Sequence, residues 1–168
     1  GLTLMPTTGN VDPTLGEENW KSSFMHEEEI AQPGYHRMYL KDYGIWVEQT
    51  ATDRTGMYRL TFTQDSDADI LVNLGGYIAS TTMRNADVKK VFNNEIEGSF
   101  DTYGRHWGGP ENVKVHFVIR FDKDFERLDG WRDKERYSDI DTLQGSSIIT
   151  RRHPKEELSY LDSPTSGV

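Results

Sequence analysis

Val113-Lys114-Val115-His116-Phe117-Val118-Ile119-Arg120-Phe121 decides the fold class. Val113, Val115, Phe117, Ile119 and Phe121 fall at every second position. That is the period of a strand with one face turned to a core, so those five side chains are expected to be buried. Outward from this run, the same reading recurs. Tyr35 to Leu40 and Gly44 to Thr50 are two runs joined by Lys41-Asp42-Tyr43-Gly44, a hairpin with a Gly-assisted turn. Met57 to Thr63 is a further strand, with Tyr58, Leu60 and Phe62 on one side, and Asp69 to Leu74, Tyr77 to Met83 and Asn94 to Phe100 follow. Asp87 to Asn94 reads as a short turn or a strand. No segment carries a long amphipathic helical pattern. Many short strands between turn signals imply an all-β chain, an antiparallel β-sandwich. Residues 6 to 19 form a loop rich in Pro, Gly and Asn, and the charged segment Gly130 to Ser138 is expected to be exposed.

The bulk numbers bound the function. At 168 residues, one domain is the default, and it is long enough to bury a core. A net charge of −9 and a pI near 5.0 argue against nucleic acid, which needs a clustered basic face. Arg151-Arg152-His153 is too small to supply one. No apolar run reaches the ~20 residues of a membrane helix, so no membrane partner is expected. The amino end lacks a signal-peptide pattern. The chain has no cysteine, which excludes disulfides, thiolate nucleophiles and zinc–thiolate sites. That composition fits the cytosol and a bacterial secreted enzyme equally. Aromatic residues make up 11% of the chain, which suits stacking on sugar rings, though for any one of them filling a sandwich core is the favoured reading.

A second stretch narrows the reading. Phe24-Met25-His26-Glu27-Glu28-Glu29-Ile30-Ala31-Gln32-Pro33-Gly34-Tyr35 resembles the F-S-H-x-x-E-x-A-x-P-G-Y-Y signature of glycoside hydrolase family 92. The likeness continues through Thr50-Ala51-Thr52-Asp53-Arg54-Thr55-Gly56-Met57-Tyr58-Arg59. It recurs at Ala68 to Leu74, at His106-Trp107-Gly108-Gly109-Pro110 and at Phe117 to Glu126. Five matches in order over most of residues 1–130 make the set specific. Members of that family are calcium-dependent, inverting exo-α-mannosidases. The resemblance implies that residues 1–168 are part of the family's amino-terminal domain, a supersandwich of the galactose-mutarotase-like kind. It also implies that the α/α catalytic domain lies outside this chain. The implied partners are mannose-containing glycans and that carboxy-terminal catalytic domain. The implied cofactor is calcium, held mainly by the catalytic domain, and the implied location is secreted or periplasmic in a bacterium.

Several constellations carry candidate chemistry. His26 and Glu29 lie three residues apart, so one turn can aim both at a ligand to bind sugar hydroxyls. The bland alternative is a solvated acidic turn before Pro33-Gly34. A zinc site of the His-Glu-x-x-His kind fails, because the second histidine's place is Ile30. Asp65, Asp67 and Asp69 open like a calcium loop, but its glycine and glutamate places are Ile70 and Gly76, so an acidic hairpin turn is expected instead. The family resemblance makes His26 and Glu29 substrate contacts, with Phe24 anchoring the segment in the core and aiming His26 outward. Trp20, on an irregular loop, is either a lid over the core or a platform against the leaving sugar, as a loop Trp of this domain is in family members that cut α-1,2-linked mannose. Trp107 is the second aromatic candidate, since Gly108 and Gly109 permit close approach. Trp46 and Trp131 read as structural. Inverting hydrolysis needs a general acid and a general base. The family's pair comes from the catalytic domain, so no catalytic residue and no metal site are assigned here, and the isolated chain is expected to be inactive. The expected role is one wall of a glycan-binding cleft. The rivals are a free-standing carbohydrate-binding module and a purely structural β-sandwich.

Overall fold

The structure is a computed structural model and describes residues 2–64, 67–75, 77–78, 81–106, 109–145, 149–152, 159–162 and 166–167. Trp107 and Asp65, both singled out above, lie outside the described residues. The chain is all-β. In order, its strands are β1 (Thr3–Thr8), β2 (Ile30–Gln32), β3 (Tyr35–Leu40), β4 (Ile45–Ala51), β5 (Gly56–Phe62), β6 (Ala68–Asn73), β7 (Tyr77–Ile78) and β8 (Thr81–Phe92). They continue as β9 (Glu95–His106), β10 (Gly109–Arg120), β11 (Gly130–Arg132), β12 (Glu135–Tyr137), β13 (Thr142–Gly145), β14 (Ile149–Arg152), β15 (Ser159–Asp162) and β16 (Ser166–Gly167). Helical structure among the described residues is limited to 3₁₀ turns at Pro13–Leu15, Glu17–Asn19 and His26–Glu28. The chain divides into two compact units, Met5–Leu71 and Gly1–Leu4 with Val72–Val168.

The unit Met5–Leu71 is built on the antiparallel meander β2-β3-β4-β5. Its register puts Met38 opposite Val47 and Val47 opposite Leu60; one row on, Leu40 faces Ile45 and Ile45 faces Phe62. These two rows share a face, because strand side chains alternate. Leu40, Ile45 and Val47 are buried there, packed with Met5, Tyr43, Leu60 and Phe62. Each such aliphatic side chain contributes roughly 1.5–3 kcal/mol by leaving water. The predicted hairpin turn is present, and Gly44 N–H donates to Leu40 O at 2.9 Å. The next row along this face, toward the other end of the strands, is His36 opposite Gln49 and Gln49 opposite Tyr58. The face thus passes from an aliphatic core to a polar edge within one sheet.

In the other unit, the long strands β8, β9 and β10 pair antiparallel in the order β10-β9-β8-β13. Asp87 to Asn94 is therefore strand through Phe92. The β8–β9 register shifts between Arg84 and Asp87, where Asn85 and Ala86 oppose Phe100 alone. That is a β-bulge, and Asn85 adopts φ 51° there while its side-chain amide donates to Asp101 at 2.8 Å. Met83, Val88, Ile96 and Phe100 form the buried side of this sheet. Phe117 lies opposite Gly98, and a Cβ on Gly98 would come within 2.6 Å of the Phe117 ring.

Tyr77 to Met83, read as one strand, is β7 and the start of β8 paired antiparallel, and residues 6–8 of the expected loop belong to β1. Two expectations about burial also need correction. The alternation in β10 is real: Val115, Phe117, Ile119 and Phe121 are half-buried while Lys114, His116, Val118 and Arg120 are exposed. Full burial is not reached, and Val113 is 47% exposed. Among the described residues β10 is the edge of its sheet and has a neighbour, β9, on one side only. Three of the four exposed places, Lys114, His116 and Arg120, are polar, which suits such an edge. Within Gly130–Ser138, expected to be exposed, Trp131 is 2% exposed. The β11–β12 hairpin sends its charges into the turn and the outer positions and keeps the indole inside.

Candidate functional site

The site grows from one 3₁₀ turn. Met25 is extended, Glu28 N–H donates to Met25 O at 3.0 Å, and Glu29 N–H donates to His26 O at 3.2 Å. Three residues per turn eclipse side chains at i and i+3, which sets His26 over Glu29. Their contact is His26 Nδ1 to Glu29 Oε2 at 2.6 Å.

The chain then turns back on itself. Gln32 pairs with Tyr35, leaving Pro33 and Gly34 as the two central residues of the turn. Proline presets the first of these, and Gly34 sits at φ 78°, as a type II turn requires. The same register pairs Ala31 with His36. Glu29, two residues before Ala31, is therefore the diagonal neighbour of His36 on one face. The carboxylate spans the gap, with Glu29 Oε1 2.8 Å from His36 Nε2. One strand further, Gln49 Nε2 lies 2.9 Å from His36 Nδ1. The result is a chain of four side chains: His26, Glu29, His36 and Gln49.

The proton positions follow from this order. A side-chain amide nitrogen donates, so His36 Nδ1 accepts from Gln49 and His36 Nε2 carries the proton given to Glu29. The hydrogen bond from His36, then that from His26, holds the Glu29 carboxyl below its ordinary range. An ionised carboxylate only accepts, so His26 Nδ1 donates as well. The second ring nitrogen of His26 is left over, on a side chain 85% exposed.

The segment before His26 is fastened elsewhere. Asp42, in the β3–β4 turn, accepts from Ser23 N–H at 2.6 Å, Ser23 Oγ at 2.9 Å and Ser22 Oγ at 3.1 Å. These hydrogen bonds, led by the Ser23 backbone, hold the Asp42 carboxyl below its usual range. Tyr43 donates its hydroxyl to Trp20 O at 2.9 Å. Phe24 was expected to be the core anchor, but it is 44% exposed. Its ring instead meets the His26 ring edge-on, with centroids 5.3 Å apart. The anchoring is polar, through Asp42 and Tyr43, and Phe24 walls one side of the imidazole.

Of the candidates, the structure brings His26 and Glu29 together. Trp20 is 5% exposed, and its indole nitrogen is buried with no hydrogen-bond partner among the described residues. Within this chain the indole is buried. Trp46 lies on the opposite face of the meander, with the Arg37 guanidinium 4.5 Å from its ring centroid and the Tyr39 ring at 4.9 Å. His36 and Gln49 were not foreseen. The signal for His36 was present in the sequence: a two-residue Pro-Gly turn fixes the register, and the register sets residue 36 diagonally across from residue 29.

Comparison with known proteins follows the same direction. A family model described as the glycosyl hydrolase family 92 N-terminal domain matches residues 1–157. Comparison with curated proteins gives no match. Among solved structures, the chain is similar to the family GH92 α-mannosidase BT3965 of Bacteroides thetaiotaomicron, with TM-score 0.73 and 22% identity, over 99% of this chain and 21% of that one. It is also similar to the inverting mannosidase BT2199 of the same organism, with TM-score 0.68 and 14% identity, over 86% of this chain and 18% of that one. A third, the GH92 glycosyl hydrolase ccman5, gives TM-score 0.67 and 22% identity, over 86% and 20%. The chain thus spans about a fifth of the length of the structures it matches. These likenesses agree with an antiparallel β-sandwich. By the match over residues 1–157, the chain belongs to the N-terminal domain family of glycosyl hydrolase family 92.

Proposed function

We propose that this domain forms one wall of the glycan-binding cleft of an inverting exo-α-mannosidase, and that His26 and Glu29 are its contacts to sugar. The observation that carries the reading is His26 itself. Its ring is 85% exposed, yet one nitrogen is held by Glu29 at 2.6 Å, inside the family signature. An imidazole fixed on one side and open on the other is suited to meet a hydroxyl. The domain's family and the mannosidases among the similar structures support mannose as the sugar. Trp20 and Trp107 belong to the proposed contacts on the resemblance alone. The substrate would be a mannose-containing glycan, and the protein would be secreted or periplasmic.

The chemistry would be run by a general acid and a general base of the catalytic domain, outside this chain, separated by ~6.5–9.5 Å as inversion requires. Calcium is a hard cation that takes oxygen ligands, sugar hydroxyls included. In this reading calcium would be held mainly by the catalytic domain, and no residue of this chain is given to it. What this chain's residues would supply is orientation of the glycan. The test is His26→Ala in the complete enzyme. A fall in kcat/KM of about tenfold or more, with the melting temperature nearly unchanged, supports the reading. Unchanged kinetics would remove His26 from the cleft.

A further inference from the structure

We propose that Glu29, His36 and Gln49 are positioning residues that hold His26 as its Nδ1–H tautomer, so that the exposed Nε2 accepts a hydrogen bond from a hydroxyl of the glycan. The inference rests on the proposed glycan role of His26 and gives that role a direction. Which imidazole nitrogen carries the proton is set by the hydrogen bond the other makes. Here the setting begins on a rigid element. Gln49 lies on β4, which is paired on both sides, by β3 and by β5. Its amide faces His36 Nδ1 at 2.9 Å, which puts the His36 proton on Nε2. That proton goes to Glu29 Oε1 at 2.8 Å. The remaining carboxylate oxygen, Oε2, meets His26 Nδ1 at 2.6 Å. Both oxygens of Glu29 are engaged, so the carboxylate cannot swing away from His26 without breaking the bond to His36.

The arrangement gives an exposed side chain an order it would otherwise lack. His26 stands on a three-residue turn and is 85% exposed. Alone, it would sample both tautomers and several rotamers. The Phe24 ring at 5.3 Å and Glu29 together restrict the ring plane. The consequence is chemical selectivity. A glycan group meeting Nε2 must donate, so a free hydroxyl is accepted and its methyl ether or deoxy counterpart is not.

The experiment has two arms. In the chain labelled with ¹⁵N-histidine, the imidazole nitrogen shifts report the tautomer directly. His26 is expected to carry its proton on Nδ1, and His36→Phe and Gln49→Leu are each expected to move it toward a mixture. His36→Gln keeps an N–H donor for Glu29 and should preserve the Nδ1–H form. If His36→Phe fails to fold, Gln49→Leu carries the test. In the complete enzyme, His36→Phe and Gln49→Leu should lower kcat/KM on a mannose disaccharide about tenfold, with His36→Gln much closer to wild type. A mixed or Nε2–H tautomer in the wild-type chain, or one unmoved by both variants, overturns the positioning role even where His26→Ala is impaired. A set tautomer with His26→Ala kinetically silent overturns the glycan role instead.

Discussion

Glu29 and His36 stand seven residues apart in the chain and 2.8 Å apart in the fold. The two-residue turn at Pro33 and Gly34 brings them together, because it fixes Ala31 opposite His36 and so places Glu29 on the diagonal. The geometry of the candidate site is thus set by a backbone turn that contributes no side chain to it. Gly34 is the sensitive point, at φ 78° with open space where a Cβ would go. Gly34→Ala should therefore cost backbone strain and little else, about 1–2 kcal/mol. Gly34→Asn should cost less, since Asn tolerates that region better. Urea denaturation of both variants checks this, and equal stability for all three chains would mean that the turn is not strained by a side chain.

Gly98 is the opposite case. A Cβ there would lie 2.1 Å from the Asp87 carbonyl oxygen and 2.6 Å from Phe117 Cζ. The first clash is with backbone and cannot be relieved by a rotamer change. Gly98→Ala should destabilise by about 3 kcal/mol or more, at the upper end of overpacking effects. Trimming the ring in the double variant Gly98→Ala, Phe117→Leu should recover only a minor part. Full recovery on thermal melting would show that Phe117, and not the β8 backbone, is the obstacle.

The pH dependence has a definite sign. Glu29 and Asp42 both have carboxyls held below their ordinary values of 4.5 and 3.8, by His36 and His26 in the first case and by Ser23 and Ser22 in the second. A carboxyl depressed in the folded state adds stability above its unfolded pKa, and that share is lost as pH falls through the folded value. The chain should therefore lose stability below about pH 4.5, with Glu29 contributing to the upper part of that limb and Asp42 to the lower. Glu29→Gln should flatten the upper part, measured as the melting temperature between about pH 5 and 3. An acid limb identical to wild type would mean that Glu29 is no more stabilised in the fold than in the unfolded chain.

The strand plan was largely legible, because period-two alternation and turn residues are local signals. Tyr35–Leu40, the turn after it and Ile45 onward fell where Lys41-Asp42-Tyr43-Gly44 placed them. Burial was less legible. Val113 carries the same pattern as Val115, but the position of β10 at a sheet edge is a property of the whole topology. Phe24 was misread for a related reason: an aromatic beside a polar signature looks like an anchor, while the actual fastening is by Asp42, nineteen residues on from Ser23. In the site, the His26–Glu29 spacing spoke for itself. His36 needed the register of a hairpin, and Gln49 needed that of the next strand as well, so each step away from the signature required one more pairing to be known.

Trp20 is the residue at which packing and the family resemblance point in different directions, and one set of variants separates them. The resemblance makes it a platform for the leaving sugar. In the structure it is 5% exposed, with its carbonyl bound by the Tyr43 hydroxyl at 2.9 Å and its indole nitrogen without a partner among the described residues. A buried Trp cut to Ala leaves a large cavity and typically costs about 3–5 kcal/mol. Trp20→Phe keeps most of the apolar volume and gives up no hydrogen bond, so it should cost markedly less. In the complete enzyme, a lid predicts a lowered melting temperature for Trp20→Ala and equal kinetic losses on a mannose disaccharide and an aryl mannoside. A platform predicts a selective loss on the disaccharide, which alone has a leaving sugar to stack, of on the order of 1 kcal/mol. The burial leads us to expect the first pattern. A selective disaccharide defect in a protein of unchanged melting temperature would show that Trp20 turns outward when the glycan binds.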